Sequence, residues 1–544
     1  MRQLPTEIIH QIMLLLNQEQ KVECMRACQS WERSVKKLSL FDTVRVSSMV
    51  ALERLVKKVT VEPQQGYKVQ RLIIDTIIDM SFDMAMLPIL FPNLRFFYVW
   101  GWEVSQSSEE MFLDPWQKQL EFVGEQVGSS FTKRLLTNGI CTQLKTLAFT
   151  LKYDEGNNLD LYANAPNLTT LILTGFKFQL EDLEILHRHL PLLVTLKLKY
   201  GSLINSGLPI DIEPATSILV LSAFQLRISQ SDAYINLLQY IRQKYTNVTD
   251  LLLNFSWAED CESKVNDILS LGWNPLFQYL GSNLHTLWLD PDTLPSGIFH
   301  VLDEANCHIK HLRLSEACLR TSKESLKTSH QRNSIETLVL EFQGRGVTGF
   351  YWLQFISKLR SLKVIFSIIP KEDKLINDIL DHCPNTVESL AIENNKLNFD
   401  FTTLRQYAIK RLELKNVTLP SGMDTFLSLH IPKLNRLRLE GCEFNGDFFV
   451  LQNIHLHYLD IISRIPVDKQ LVMVKTLGDQ KGYMYIPRHK VNYYGIFRER
   501  LNIHDATLCP SVRALSMEET TTKTKPFLTI VCNSIRNLTI IDKQ

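Results

Sequence analysis

Three clusters in this sequence have residue types that chemistry requires. Gly344-Arg345-Gly346-Val347-Thr348-Gly349 has the glycine spacing of a dinucleotide-binding turn, with an acid further on at Glu372 where a ribose partner would be sought. Cys307, His308, His311 and Cys318 are zinc-ligand types. Between Tyr483 and Arg500 the chain interleaves Tyr485, Arg488, Lys490, Tyr493, Tyr494, Phe497 and Arg498, the mixture of basic and aromatic residues used to bind nucleic acid or phosphate. Each cluster has a plainer reading, which for the segment from Tyr483 to Arg500 is a degenerate repeat unit. The glycines read as a loop leaving one strand of a repeat lattice, which supplies no second nucleotide-binding half. Ile309 and Leu312 belong to a strand phrase, so the histidines beside them flank a strand and the ligand spacing is poor. No Ser or Cys sits in a nucleophile elbow. The expectation is a protein with no catalytic residues, no metal and no cofactor, whose work is surface recognition.

The elements that would position such a surface are legible as a repeat. An apolar-x-x-apolar-x-apolar phrase recurs from about residue 69 to the end, in some 17 copies, among them Leu168-Leu171-Leu173, Leu193-Leu196-Leu198, Leu284-Leu287-Leu289, Leu434-Leu437-Leu439 and Ile535-Leu538-Ile540. Middle residues are mostly spaced by about 25 residues. Two gaps are double: Phe97 to Leu147 and Leu459 to Leu515. They predict a degenerate or replaced unit near 100–143 and another near 462–511. A poorer copy is placed at Leu219-Leu221. Within each phrase the alternation of apolar and polar residues is that of a strand with one buried face. Proline two residues before the phrase, as at Pro92, Pro166, Pro191, Pro432 and Pro510, stops a preceding helix and suits entry to a strand. Between phrases lie amphipathic segments, such as Leu180, Leu183, Leu186 and Leu190, or Leu375, Ile376, Ile379, Leu380 and Cys383 within 371–383. A strand, a turn and a helix make one unit, and stacking buries a core that no single unit can bury.

These phrases resemble the leucine-rich-repeat family of the helix-containing kind, which often carries Asn or Cys three residues after the last strand apolar. Asn395 and Cys442 match, whereas Phe176, Ala317 and Val417 fill that slot elsewhere. The resemblance implies an α/β solenoid of about 17–19 units over residues 69–544, with parallel strands on the concave face and helices outside. Outward strand residues would then face a partner. Trp288 and Asp290 fall beside His311 and Arg313, and Lys363, Glu413 and Arg438 follow along the same face. Trp288 with Arg313 is the favoured binding pair, because aromatic and Arg side chains are the usual anchors of interfaces. A solvated, salt-linked face is the alternative for the single charges.

Residues 1–45 differ. Pro5 stands at a helix start, and Ile8, Ile9, Ile12, Leu15 and Leu16 form an apolar stripe at helical spacing. Two further short helices follow, the last bearing Trp31, Val35 and Leu38. Three helices in some forty residues bury little, so the apolar face needs a partner. The order Leu4-Pro5-x-Glu7-Ile8, Ile12, Leu16, Cys28-x-x-Trp31 and Leu38-x-Leu40-Phe41 resembles an F-box. That resemblance implies docking to a Skp-type adaptor, and through it to a cullin, with Leu4, Pro5, Ile8, Ile12, Leu16 and Trp31 as contacts. Residues 46–68 are expected to be a linker or capping helix.

Composition bounds the rest. The 544 residues carry 59 Lys plus Arg against 58 Asp plus Glu, a formal charge of +1. That balance lacks the electrostatic signature of a nucleic-acid or membrane binder. Ten scattered cysteines do not make a disulfide framework, and no signal peptide or spanning run is read. The expected setting is cytoplasm, nucleus or both. The expected role is a substrate receptor of a ubiquitin ligase, binding an unidentified protein. The alternatives are an interaction scaffold whose N-terminal helices only cap the solenoid, and a GTPase activator, which would need a loop arginine at a nucleotide.

Overall fold

A computed structural model describes residues 42–463 apart from 80–81, 103–112, 152–157, 205–206, 210, 229, 258–268, 290–296, 344–349, 368–374, 397–404, 420–421 and 445–447, and beyond them the strands within 472–542. The chain divides into two compact units, Met1–Asn283 and Leu284–Gln544. Residues 1–41, and with them Leu4, Pro5, Ile8, Ile12, Leu16 and Trp31, lie outside the described residues.

In the first unit eleven strands are described: β1 Thr43–Val46, β2 Arg71–Ile78, β3 Phe96–Trp102, β4 Phe122–Val127, β5 Thr146–Thr150, β6 Thr170–Thr174, β7 Lys177–Phe178, β8 Thr195–Lys199, β9 Ser202–Leu203, β10 Val220–Ile228 and β11 Asp250–Trp257. The long ones pair in parallel, one repeat after the next. Their register aligns the middle apolars Leu72, Phe97, Val123, Leu147, Leu171, Leu196, Leu221 and Leu251, none of them more than 3% exposed. Each such burial stabilises the fold by about 1.5–3 kcal/mol. Helices such as Leu180–His189, which buries Leu180, Leu183 and Leu186, cover one side of this sheet. The stack begins earlier than the repeat phrase does, because β1 pairs with β2 from Thr43 onward. The helix Met49–Val61 follows, N-capped by the Ser48 hydroxyl, where a linker or capping helix was expected.

Two register details depart from the phrase count. The double gap after Phe97 holds a complete unit, since β4 sits between β3 and β5 with Val123 in the middle slot. Its last inward position is Glu125, 2% exposed, which hides the strand from any apolar count. The poor copy is also set two residues later than its leucines suggest. Leu221, paired with Leu196 and Leu251, is the middle residue and Ala223 the last inward one, while Leu219 is 41% exposed.

The second unit repeats the plan with β12 Thr286–Leu289, β13 His311–Ser315, β14 Thr337–Phe342, β15 Ser361–Phe366, β16 Ser389–Lys396, β17 Arg411–Leu419, β18 Arg436–Glu440, β19 Glu443–Phe444 and β20 Phe448–Ser463. Leu287, Leu312, Leu338, Leu362, Leu390, Leu412, Leu437 and Leu459 align. After them come β21 Val472–Thr476, β22 Gly482–Tyr485, β23 Arg498–Asn502, β24 Val512–Ala514 and β25 Leu528–Asp542. Here the lattice steps directly from Leu459 to Leu538. The phrase at Val512 is therefore not a lattice unit: β24 pairs antiparallel with β22, and β23 antiparallel with β25. The second double gap is an insertion of mixed pairing, β21 running parallel to β25 and antiparallel to β22, unlike the first.

A recurring bend follows the inward row, just past the ends of β6, β8 and β18 and within β10, β16 and β17. Gly175, Tyr200, Gln225, Asn394, Asn416 and Gly441 all have φ between 50° and 73°, each two residues after the last inward side chain. Left-handed backbone favours Gly and Asn. At Gly175 the requirement is doubled, because a Cβ would lie 2.7 Å from the Leu151 carbonyl oxygen. The Asn pair makes a ladder in which Asn416 Nδ2 donates to Asn394 Oδ1 (2.7 Å) and Asn394 Nδ2 to the Phe366 carbonyl (3.0 Å).

Candidate functional site

The strand alternation that buries one row of each unit exposes the other. In the second unit the register places Trp288, Arg313, Val339, Lys363, Ala391, Glu413, Arg438 and Asp460 in one outward row. Trp288 and Arg313 meet, with the guanidinium carbon 3.4 Å from the ring centroid. The same guanidinium pairs with Glu341 at 2.6 Å. Lys363 and Lys415 both reach Glu393, at 3.0 and 3.1 Å. Burial raises the Glu393 carboxyl, but the two ammonium groups outweigh it and hold it below its ordinary value. Arg438 pairs with Glu413 at 3.4 Å and Glu440 at 3.0 Å, and Arg436 with Asp460 at 3.4 Å. His311 is exposed at the head of β13. Asp290 lies outside the described residues. This face is thus largely neutralised by its own ion pairs, each worth about 0–1 kcal/mol where exposed.

The other sequence candidates resolve differently. Cys307 and Cys318 are buried, donating to the carbonyls of Leu284 (3.6 Å) and Leu289 (3.3 Å), and burial pushes the Cys307 thiol up to about 12. His308 and His311 are exposed instead. The four side chains do not converge, and no group of three or more ligand types is positioned for a metal among the described residues. The glycines 344–349 lie outside the described residues, between β14 and β15, which are adjacent parallel strands of the lattice. Of the segment 483–500, Tyr483, Tyr485, Arg498 and Arg500 fall in β22 and β23; residues 486–497 are outside the described residues. No described helix is long and apolar enough to cross a membrane.

An aromatic ridge on the first unit was not singled out from the sequence. Phe96 on β3 and Phe122 on β4 are register partners, and their rings stack at 4.0 Å between centroids with 6° between planes. Arg71 of β2 covers the other side of Phe96, at 4.1 Å from its centroid. Tyr98 and the 43% exposed Trp100 follow on β3. Gly124 makes room for this packing, because a Cβ there would stand 2.7 Å from Tyr98 Cδ2 and 3.0 Å from Phe122 Cε1. The signal was present in Phe96, Tyr98 and Trp100 at every second residue. Phe122 joins them only once β4 is recognised as a strand.

The strand register defines the fold class: an α/β solenoid of the leucine-rich-repeat type. No family model matches the chain, and no curated protein matches it in sequence. Among solved structures, an LRR protein of Leptospira interrogans aligns at 18% identity, covering 71% of this chain and 94% of that one, with a TM-score of 0.33. TLR13 in its complex with ssRNA13 aligns at 13% identity over 75% of this chain and 67% of that one, with a TM-score of 0.34. Both scores are low, and the class rests on this chain's own strand register.

Proposed function

We propose that this protein is the substrate-recognition subunit of a cullin–RING ubiquitin ligase. One observation carries the reading: the F-box-like order Leu4-Pro5-x-Glu7-Ile8, Ile12, Leu16 and Trp31 heads a chain whose remainder is a repeat solenoid. In that role the head docks on a Skp-type adaptor, and a strand face holds a target protein. The chain supplies proximity, not covalent chemistry. Co-purification with the adaptor tests it. Wild type should retain adaptor, and Leu4→Ala/Pro5→Ala/Trp31→Ala should lose it. Equal recovery by both, or recovery by neither, defeats the ligase role.

The second reading is an interaction scaffold capped by residues 1–41. What favours it is that β1 already pairs with β2 from Thr43, within the 1–45 stretch assigned to the head. Removal of residues 1–41 should then destabilise the first strands while partner binding proceeds without adaptor.

A further inference from the structure

The two strand faces differ in how their charges are satisfied. In the second unit the outward Arg313, Lys363, Lys415, Arg436 and Arg438 pair with Glu341, Glu393, Glu413, Glu440 or Asp460, and Arg411 has no ion pair to a described residue. On β1–β6 and β8 of the first unit, Asp75 is the carboxylate among the described outward positions, and Arg45 is paired with it. Arg71, Lys197 and Lys199 remain, with no ion pair to a described residue. Between the ridge and the two lysines the outward positions are Gly124 and Gln126 on β4, Thr146, Ala148 and Thr150 on β5, and Thr170, Ile172 and Thr174 on β6, most of them short side chains. The result is a shallow trough walled by rings on one side and ammonium groups on the other.

We infer that this trough binds an extended acidic peptide segment of the target protein, seating an apolar or aromatic side chain on the Phe96–Phe122 ridge and carboxylates at Lys197 and Lys199. The inference rests on the proposed role only in calling the bound chain the target. Three strand steps separate β4 from β8, about 14 Å at the usual interstrand spacing. An extended chain covers that in about four residues. The rings also select the chemistry. Arg71 and Phe122 occupy the two faces of Phe96, so that ring presents its edge, which carries positive charge and suits a carboxylate or an apolar group. Arg71, Lys197 and Lys199 are few cations for a phosphate backbone, which disfavours nucleic acid.

The test needs only the purified full chain. A fluorescein-labelled peptide with one Trp and a run of Glu about four residues on is titrated by anisotropy, beside its Lys-for-Glu counterpart and a labelled oligo-dT. Saturable binding of the acidic peptide alone is expected, about tenfold weaker with Lys197→Glu/Lys199→Glu, which leaves the core untouched, and with Phe122→Ala; about 1.4 kcal/mol corresponds to that factor. Trp288→Ala/Arg313→Ala should bind as wild type does. No saturable binding, equal binding of the basic peptide or oligo-dT, or indifference to the lysine substitutions overturns the inference. Failure of adaptor capture with peptide binding intact would instead remove only the ligase role.

Discussion

Glu125 offers the sharpest physical test, because a carboxylate occupies a slot that leucine, valine or phenylalanine fills in neighbouring units. Its Oε1 and Oε2 accept from the backbone N–H groups of Phe131 (3.3 Å) and Thr132 (3.0 Å), at the start of the helix Ser130–Thr137. Burial drives the carboxyl from 4.5 up to about 7, against those hydrogen bonds. At ~1.4 kcal/mol per pH unit, ionisation in the folded unit costs about 3 kcal/mol. The sign follows from the raised value. The proton is held in the folded state where the unfolded chain has lost it, so stability is greatest below pH 4.5, falls as pH rises through 7, and then levels. Glu125→Gln removes the titration but keeps one acceptor oxygen and turns an NH2 toward the second N–H, a loss of about 1–3 kcal/mol. At pH 8 the two effects nearly offset, so the discriminating quantity is slope. Hydrogen exchange of the helix Ser130–Thr137, followed from pH 5 to 8 and corrected for intrinsic rates, should show wild type losing about 2.5 kcal/mol of protection relative to the Gln variant. Parallel curves for the two proteins would refute the assignment of a buried, neutral-leaning carboxyl.

Other outcomes follow from the same packing. Gly124→Ala should displace the Tyr98 and Phe122 rings at a cost of about 1 kcal/mol, weakening acidic-peptide binding in the anisotropy titration while circular dichroism stays unchanged. Lys244, 4% exposed at its side chain, meets Glu184 at 2.6 Å; Lys244→Met should cost about 3–5 kcal/mol by chemical denaturation, and adding Glu184→Leu should restore most of it, since the lone buried charge is what destabilises. A double-mutant cycle on Trp288 and Arg313 should give a coupling of about 0.5–2 kcal/mol; a value near zero would mean the stacked geometry is not maintained in solution.

Much of the lattice was legible in the chain. Leucine at a fixed interval with strand alternation predicts the parallel register that aligns Leu287 through Leu459, and Leu180, Leu183 and Leu186 predict their helix. The failures share a cause. An apolar count cannot see a unit whose inward slot is a capped Glu125, nor choose between Leu219 and Leu221 when the next slot holds Ala223, nor tell that Val512–Ala514 pairs antiparallel. Each depends on which neighbour the strand meets, and sequence spacing does not encode that.

The candidate site divides along the same line. Outward alternation on the strands placed Trp288 beside Arg313 from sequence alone, because register in a regular stack follows from the repeat length. That Glu341, Glu393 and Glu440 pair with cations of that face, while Arg71, Lys197 and Lys199 have no carboxylate partner among the described residues of the face that bears the Phe96–Phe122 ridge, was decided only by tertiary structure. Charge balance within a surface depends on side chains about 25 residues apart in sequence meeting at a few ångströms, and the whole-chain sum of +1 averages exactly that distinction away.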